Sequence, residues 1–182
     1  RSAPGHDLEP VFGRFTRKTR ERAAGIDDRP VVASRAEKSI SNEQTYETDL
    51  RDRQAMERQL LRLAERTAGR LRKAALAAGT VQVKIRRSDF RTFTRQKRLR
   101  PPGNGTDQIY AVARKLLASW LSENPGTPVR LLGVGCSALV PAEQPDLFGD
   151  ADAGHASDFD RAVDEIRDRF GSSAVSRART LD

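Results

Sequence analysis

Residues 81–100, VQVKIRRSDFRTFTRQKRLR, carry two strands back to back. Val81, Val83 and Ile85 alternate with Gln82, Lys84 and Arg86, the period-two pattern of a strand with one buried and one polar face. A second strand follows near Asp89 to Leu99. Its Phe90 and Phe93 stand three apart, out of phase for a flat strand, so a bulge is expected between them if both rings are buried.

Upstream, Met56, Leu60, Leu63, Thr67, Leu71, Ala74 and Ala78 recur at steps of four and three, which predicts an amphipathic helix from Asp52 to Ala78. Asp52 suits its N-cap and Gly79 its C-terminal stop, with arginines at 53, 58, 62, 66, 70 and 72 on the wet side. Before it, Ile40, Thr45 and Tyr46 suggest a strand. Downstream, Pro101-Pro102-Gly103-Asn104-Gly105 reads as a loop. Ile109, Ala113, Leu116 and Trp120 give a helix over 107–121, and Val129, Leu131, Leu132 and Val134 a buried strand within 128–137.

The order is therefore β-α-β-β-α-β. That pattern predicts an α+β, ferredoxin-like domain with a four-stranded antiparallel sheet and two helices on one face. The other face is left open, and parity assigns Gln82, Lys84 and Arg86 to it.

Around this body, spanning 34–139, lie two weaker zones. Residues 1–33 hold a basic run from Arg14 to Arg22, room for one short helix, and a connector at Gly25-Ile26-Asp27-Asp28-Arg29-Pro30. Residues 140–182 read as a flexible acidic tail. Gly149 to Ser157 lack large apolar side chains. Phe159, Val163, Ile166 and Phe170 allow a short helix over 158–170.

Charge separates these zones further. The 182 residues carry 33 Lys and Arg against 25 Asp and Glu, net +8, but residues 1–140 hold 28 basic and 15 acidic residues while 141–182 hold 5 and 10. The body suits a polyanion, and the tail a different partner. One cysteine, Cys136, excludes an internal disulfide, and with only His6 and His155 it excludes a Cys/His zinc site. No apolar run approaches the ~18 residues that span a bilayer, and no signal peptide is visible, so no membrane partner and a cytoplasmic location are expected. A start at Arg1 with Met56 the only methionine suggests a piece of a longer protein.

Three constellations carry chemistry. From Lys84 to Arg100 there are eight Lys and Arg and one acid, interleaved with Ser88, Thr92 and Thr94, which matches the charge and short hydroxyl donors that phosphates need. The same run also reads as a solvated basic face whose cations guard strand edges. Lys38-Ser39-Ile40-Ser41-Asn42-Glu43 reads either as a phosphate-holding strand or as an edge whose Ser and Asn satisfy their own backbone. Gln144-Pro145-Asp146-Leu147-Phe148 offers Leu147 and Phe148 as anchors for a groove on another protein, or is a tail with a chance apolar pair. There is no P-loop, no Gly-x-Gly-x-x-Gly, no HExxH and no set of acids at metal-binding spacing. His155 reads as an exposed tail residue and Cys136 as a buried strand residue.

KSISNEQTY at 38–46, VQVKIRRSDFRTFTR at 81–95, PVRLLGVGCSALV at 128–140 and QPDLF at 144–148 together resemble the C-terminal part of the bacterial DNA polymerase IV family of Y-family translesion polymerases. RERAAGIDDRPV at 20–31 resembles the end of that family's thumb. The resemblance implies a little-finger domain whose sheet lies along the DNA major groove and holds primer-template backbones. By it, Lys38, Ser39, Ser41 and Asn42 form a first-strand phosphate motif, and Arg91, Thr92, Thr94 and Arg95 a third-strand one, with Lys84 and Arg86 on the open face. It also implies that Gln144, Pro145, Asp146, Leu147 and Phe148 bind the β sliding clamp, with Gln144 the polar anchor, Leu147 and Phe148 the plugs, and Pro145 standing where the family usually has leucine.

The family's catalytic carboxylates and its Mg2+ ions belong to domains upstream, so no residue here is expected to be catalytic or to bind metal, and the chain alone needs no cofactor. The parent is expected to be a DNA-directed DNA polymerase that synthesises past damaged template. The alternatives are a non-catalytic, clamp-bound Y-family adaptor and, from another class, a ferredoxin-like small-molecule regulatory domain, which would not require a basic open face.

Overall fold

The computed structural model describes residues 5–30, 37–142, 151–171 and 173–180, and the chain divides into two compact units, Arg1–Ala36 and Glu37–Asp182. In the first unit a 3-10 turn at Gly13–Phe15 joins helix α1 (Gly5–Phe12) to helix α2 (Thr16–Ala23), two helices where the sequence pattern suggests one. No residue of α2 is buried. The chain leaves it at Gly25, where φ is +79°, and Asp27 then accepts the Arg29 guanidinium at 2.7 Å.

The second unit runs β1 (Ser39–Leu50), α3 (Arg53–Lys73), β2 (Leu76–Arg87), β3 (Thr92–Gly103), α4 (Thr106–Glu123), β4 (Val129–Pro141) and α5 (Ala151–Phe170). The four strands form one sheet in the order β1-β4-β2-β3, each neighbouring pair antiparallel. Hence β1 and β2 run parallel with β4 between them, and β3 and β4 run parallel with β2 between them. Two split βαβ units interlock, the α+β architecture expected from the element order.

Asp52 caps α3 by accepting the Ala55 N–H at 2.7 Å. The helix does not run to Ala78. It stops at Lys73, and Ala75, at φ +53°, turns the chain into β2. Gly79 is therefore no helix stop but a strand residue against Ala138, where an added Cβ would lie 3.0 Å from the Ala138 carbonyl oxygen.

The β2–β3 register runs unbroken from Thr80↔Arg98 to Arg86↔Thr92, so no bulge separates Phe90 from Phe93. Only one of those rings is inside. Phe93 stands 5.7 Å from Trp120, whereas Phe90 sits in the turn at φ +65°, 66% exposed, with the Arg130 guanidinium 5.4 Å from its ring centroid. The register slips instead at the other end, between Ala78↔Gly103 and Thr80↔Arg98, where Pro101 and Pro102 have no N–H to give the ladder. The expected loop thus begins as the last turn of β3.

Val81, Val83 and Ile85 are fully buried against Met56, Leu60 and Leu71 of α3 and Ile109, Leu117 and Trp120 of α4. Each such side chain contributes roughly 1.5–3 kcal/mol relative to exposure. Cys136 lies in this core. Helix α5 begins before the periodic positions do, and of those positions only Val163 is buried while Phe159, Ile166 and Phe170 stay exposed. Charge holds it instead. Arg72 of α3 meets Asp164 at 2.6 Å and Asp160 at 3.1 Å, and Arg177 meets Asp160 at 2.8 Å and Glu65 at 3.1 Å.

Candidate nucleic-acid interface

Residues paired across a ladder share a face, so the register assigns every side chain of the sheet. Val81, Val83 and Ile85 point to the helices; the opposite face is then a grid of four rows. Reading from β1 through β4 and β2 to β3, the rows are Ser39-Ser137-Thr80-Arg98, Ser41-Gly135-Gln82-Gln96, Glu43-Gly133-Lys84-Thr94 and Thr45-Leu131-Arg86-Thr92. Seven of these sixteen positions are Ser or Thr, three are cations, two are amides and one is an acid. Such a face offers hydroxyl donors with charge behind them, as sugar and phosphate oxygens require.

Six of the residues singled out from the sequence meet here: Ser39, Ser41, Lys84, Arg86, Thr92 and Thr94. Arg86 Nε donates to Thr92 Oγ1 at 2.9 Å, which ties the guanidinium to β3. Lys38 is exposed at the foot of β1. Arg91 lies at the hairpin tip, exposed, with Asp89 Oδ2 3.9 Å away. Asp89 also takes Arg87 at 3.5 Å and the Arg91 backbone N–H at 3.1 Å, so the single acid of the basic run is spent within the turn.

Two of the singled-out residues turn the other way. Arg95 pairs with Val83 and so shares the helix side, where it meets Glu123 of α4 at 2.8 Å. Asn42 shares the side of buried Ile40, and its Nδ2 is buried without a hydrogen-bond partner. Near it on the same side, the Tyr46 hydroxyl is also unpartnered, and burial pushes its pKa up to about 12 against the opposing pull of Arg62 and Arg66.

Arg98 and Glu43 also belong to the open face; both lie in runs named from the sequence, which assigns neither a site role. The signal was present. With Phe93 and Leu99 as the inward positions of β3, period two places Thr94, Gln96 and Arg98 outward and Arg95 inward. The central strand is low on this face, since Gly133 lies between Glu43 and Lys84 and a Cβ there would stand 3.0 Å from the first and 3.4 Å from the second. Over it, Lys84 Nζ reaches Glu43 Oε2 at 2.8 Å.

Among the described residues no group of three or more His, Cys, Asp or Glu could hold a metal ion, so the side chains seen here do not fit the Mg2+ that the family resemblance implies for a whole polymerase. Among them, too, no helix is long and apolar enough to cross a membrane. The Gln144–Phe148 peptide lies outside the described residues.

The fold is shared with solved structures: DinB from Sulfolobus solfataricus superposes at TM-score 0.51 with 19% identity, over 78% of this chain and 40% of that one. A Y-family DNA polymerase chimera gives TM-score 0.51 with 20% identity, over 76% and 39%. Residues 37–147 match the impB/mucB/samB family C-terminal domain, and the chain belongs to that family. Among its relatives, DNA polymerase IV of Dehalococcoides mccartyi (strain CBDB1) is 38% identical over 177 residues, 97% of this chain and 45% of the relative. DNA polymerase IV of Streptomyces coelicolor is 43% identical over 129 residues, 71% of this chain and 26% of the relative. The chain thus spans less than half the length of the curated relatives it matches.

Proposed function

We propose that the chain is the DNA-gripping little finger and sliding-clamp tether of a translesion DNA polymerase. The observation that carries this reading is the open sheet face, with its hydroxyls, Arg86 and Arg98, and with Lys38 and Arg91 exposed beside it. Ser39 and Ser41 on one edge strand and Thr92, Thr94 and Arg86 towards the other give two phosphate tracks. From β1, Arg86 on β2 lies two strand spacings of about 4.8 Å away and Thr92 and Thr94 on β3 three, a span of ~10–14 Å that brackets the ~12 Å width of a major groove. Arg95 acts from the helix side, tying β3 to α4 through Glu123.

The contribution to synthesis is positioning: phosphate contacts fix the register of primer-template DNA without reading its sequence, and the chemistry, with its Mg2+, belongs to the rest of the parent protein. Gln144 to Phe148, by their resemblance to the family's clamp peptide, supply the tether, and Leu147 and Phe148 are its apolar plugs.

Titration of the chain with a fluorescent primer-template duplex tests the grip. With ~3–5 phosphates contacted, log K falls against log salt with a slope of roughly −3 to −4, whatever the sequence. A flat salt response overturns the reading. Isothermal titration against the β clamp tests the tether, which L147A/F148A abolishes and R98A leaves intact.

A further inference from the structure

We infer that Glu43 is a built-in restraint on the DNA grip, a residue that sets affinity by holding Lys84 out of the phosphate tracks. The inference rests on the open face being the DNA-binding surface. Glu43 is the single acid among the sixteen paired positions of that face, and it stands in the same row as Lys84 with only a glycine between them. The row could not close otherwise: any side chain at 133 would stand between the two stems, 3.0 Å from one and 3.4 Å from the other. Lys84 Nζ lies 2.8 Å from Glu43 Oε2, so the ammonium is drawn to the middle of the sheet, over β4, instead of towards Thr94 on the β3 side.

The charges facing the pair define the consequence. Arg86 and Arg98 lie in other rows of the grid, Arg86 is committed to Thr92, and Asp89 is occupied by Arg87 and Arg91 at the hairpin tip. No second acid on the paired face competes for Lys84, and no second cation in its row relieves Glu43. For Lys84 to reach a phosphate it must leave Glu43, and the carboxylate is then left facing the anionic duplex. The pair is half in solvent, with Lys84 32% and Glu43 50% exposed, so it contributes little to folding, and its effect falls on ligand charge.

A cycle of two isosteric or near-isosteric changes tests this in the full chain with the same duplex. E43Q should tighten binding about three- to tenfold at low salt and steepen the salt slope by up to ~0.9, the share of one newly contacted phosphate. K84Q alone leaves Glu43 unpaired before the duplex and should weaken binding at least about threefold, whereas the double variant E43Q/K84Q, which lacks both charges, should bind at least about threefold more weakly than E43Q, because the gain in E43Q comes through the released Lys84. Unchanged melting temperatures show that both variants fold. The inference is overturned if E43Q leaves affinity unchanged or weakens it, or if E43Q/K84Q binds as tightly as E43Q, while the native chain still binds with a steep salt slope. If the native chain binds without salt dependence, the DNA reading itself falls and takes this inference with it.

Discussion

Asp160 of α5 accepts the backbone N–H of Thr106, the first residue of α4, at 2.7 Å. The N-cap position of α4 is Gly105, which has no side chain to offer, so a carboxylate from 54 residues downstream does the capping and faces the positive end of the helix dipole. The same carboxyl group meets Arg72 and Arg177, and its side chain is only 6% exposed. The C-terminal segment is thus bound into the domain at a helix end.

Replacing Asp160 should therefore be costly. D160A leaves two arginines short of a partner and α4 uncapped, although Arg72 keeps Asp164; we expect a loss of about 3 kcal/mol in urea unfolding. D168A, whose carboxyl is 75% exposed beside Lys73, should shift the midpoint by less than about 0.5 kcal/mol. Equal effects of the two would refute the cap.

The face assignment of β3 separates two arginines three residues apart. R98A should weaken duplex binding and reduce the salt slope by ~0.9, whereas R95A, which breaks a half-exposed pair with Glu123, should leave the slope unchanged and cost under about 1 kcal/mol of stability. Anisotropy titrations at four salt concentrations decide it. A larger slope change in R95A would mean that the edge, not the open face, meets the duplex.

The two glycines of β4 should respond differently to alanine. At Gly133 the new Cβ meets the Cβ atoms of Glu43 and Lys84 and the Asn42 carbonyl, none of which can swing away, so G133A should destabilise by about 1–3 kcal/mol. At Gly135 the obstacle is the Gln82 side chain, at 3.0 Å from its Cγ, which can change rotamer, and G135A should cost under about 1 kcal/mol. Urea midpoints for the two variants make the comparison.

Burial pushes the Cys136 thiol up to about 12, against about 9 for the free group. The folded state therefore keeps its proton where the unfolded state loses it: the stability is fully present below pH 9 and is lost as pH rises from 9 towards 12. Tyr46, raised from 10 to about 12 by the same cause, adds a loss over pH 10–12. A disulfide reagent at pH 8 should find no reactive thiol in the folded chain and one equivalent in urea. Rapid labelling of the folded protein would place Cys136 outside the core.

Much of this architecture was legible because short-range periodicity encodes it. The alternation at 81–86 and the four-three steps of α3 name their buried faces directly, and Asp52 announces its helix. Other features escape because their cause is not local. Ala74 and Ala75 give no sign that α3 ends there instead of at Gly79, since nothing in an alanine pair marks a left-handed turn. Phe90 and Phe93 look alike in a sequence, yet one caps a turn and the other packs on Trp120, and the choice between them sets which way Arg95 and Arg98 face. The docking of α5 rests on Arg72 finding Asp160 and Asp164 some 88 and 92 residues away, a pairing that no window on the sequence contains.

The place of β4 between β1 and β2 has a consequence for how the chain is made. Among the described residues β1 pairs with no strand but β4, the last of the four to leave the ribosome, so it stays without a ladder while about 80 further residues are synthesised. The β2–β3 hairpin, local in sequence, can form early, but the sheet remains in two unjoined pieces until Val129–Pro141 arrives and stitches both sides at once. Completion of this domain is therefore a late and single event, and a chain cut between β3 and β4 leaves the edges of β1 and β2 that β4 would cover open to pairing with other chains.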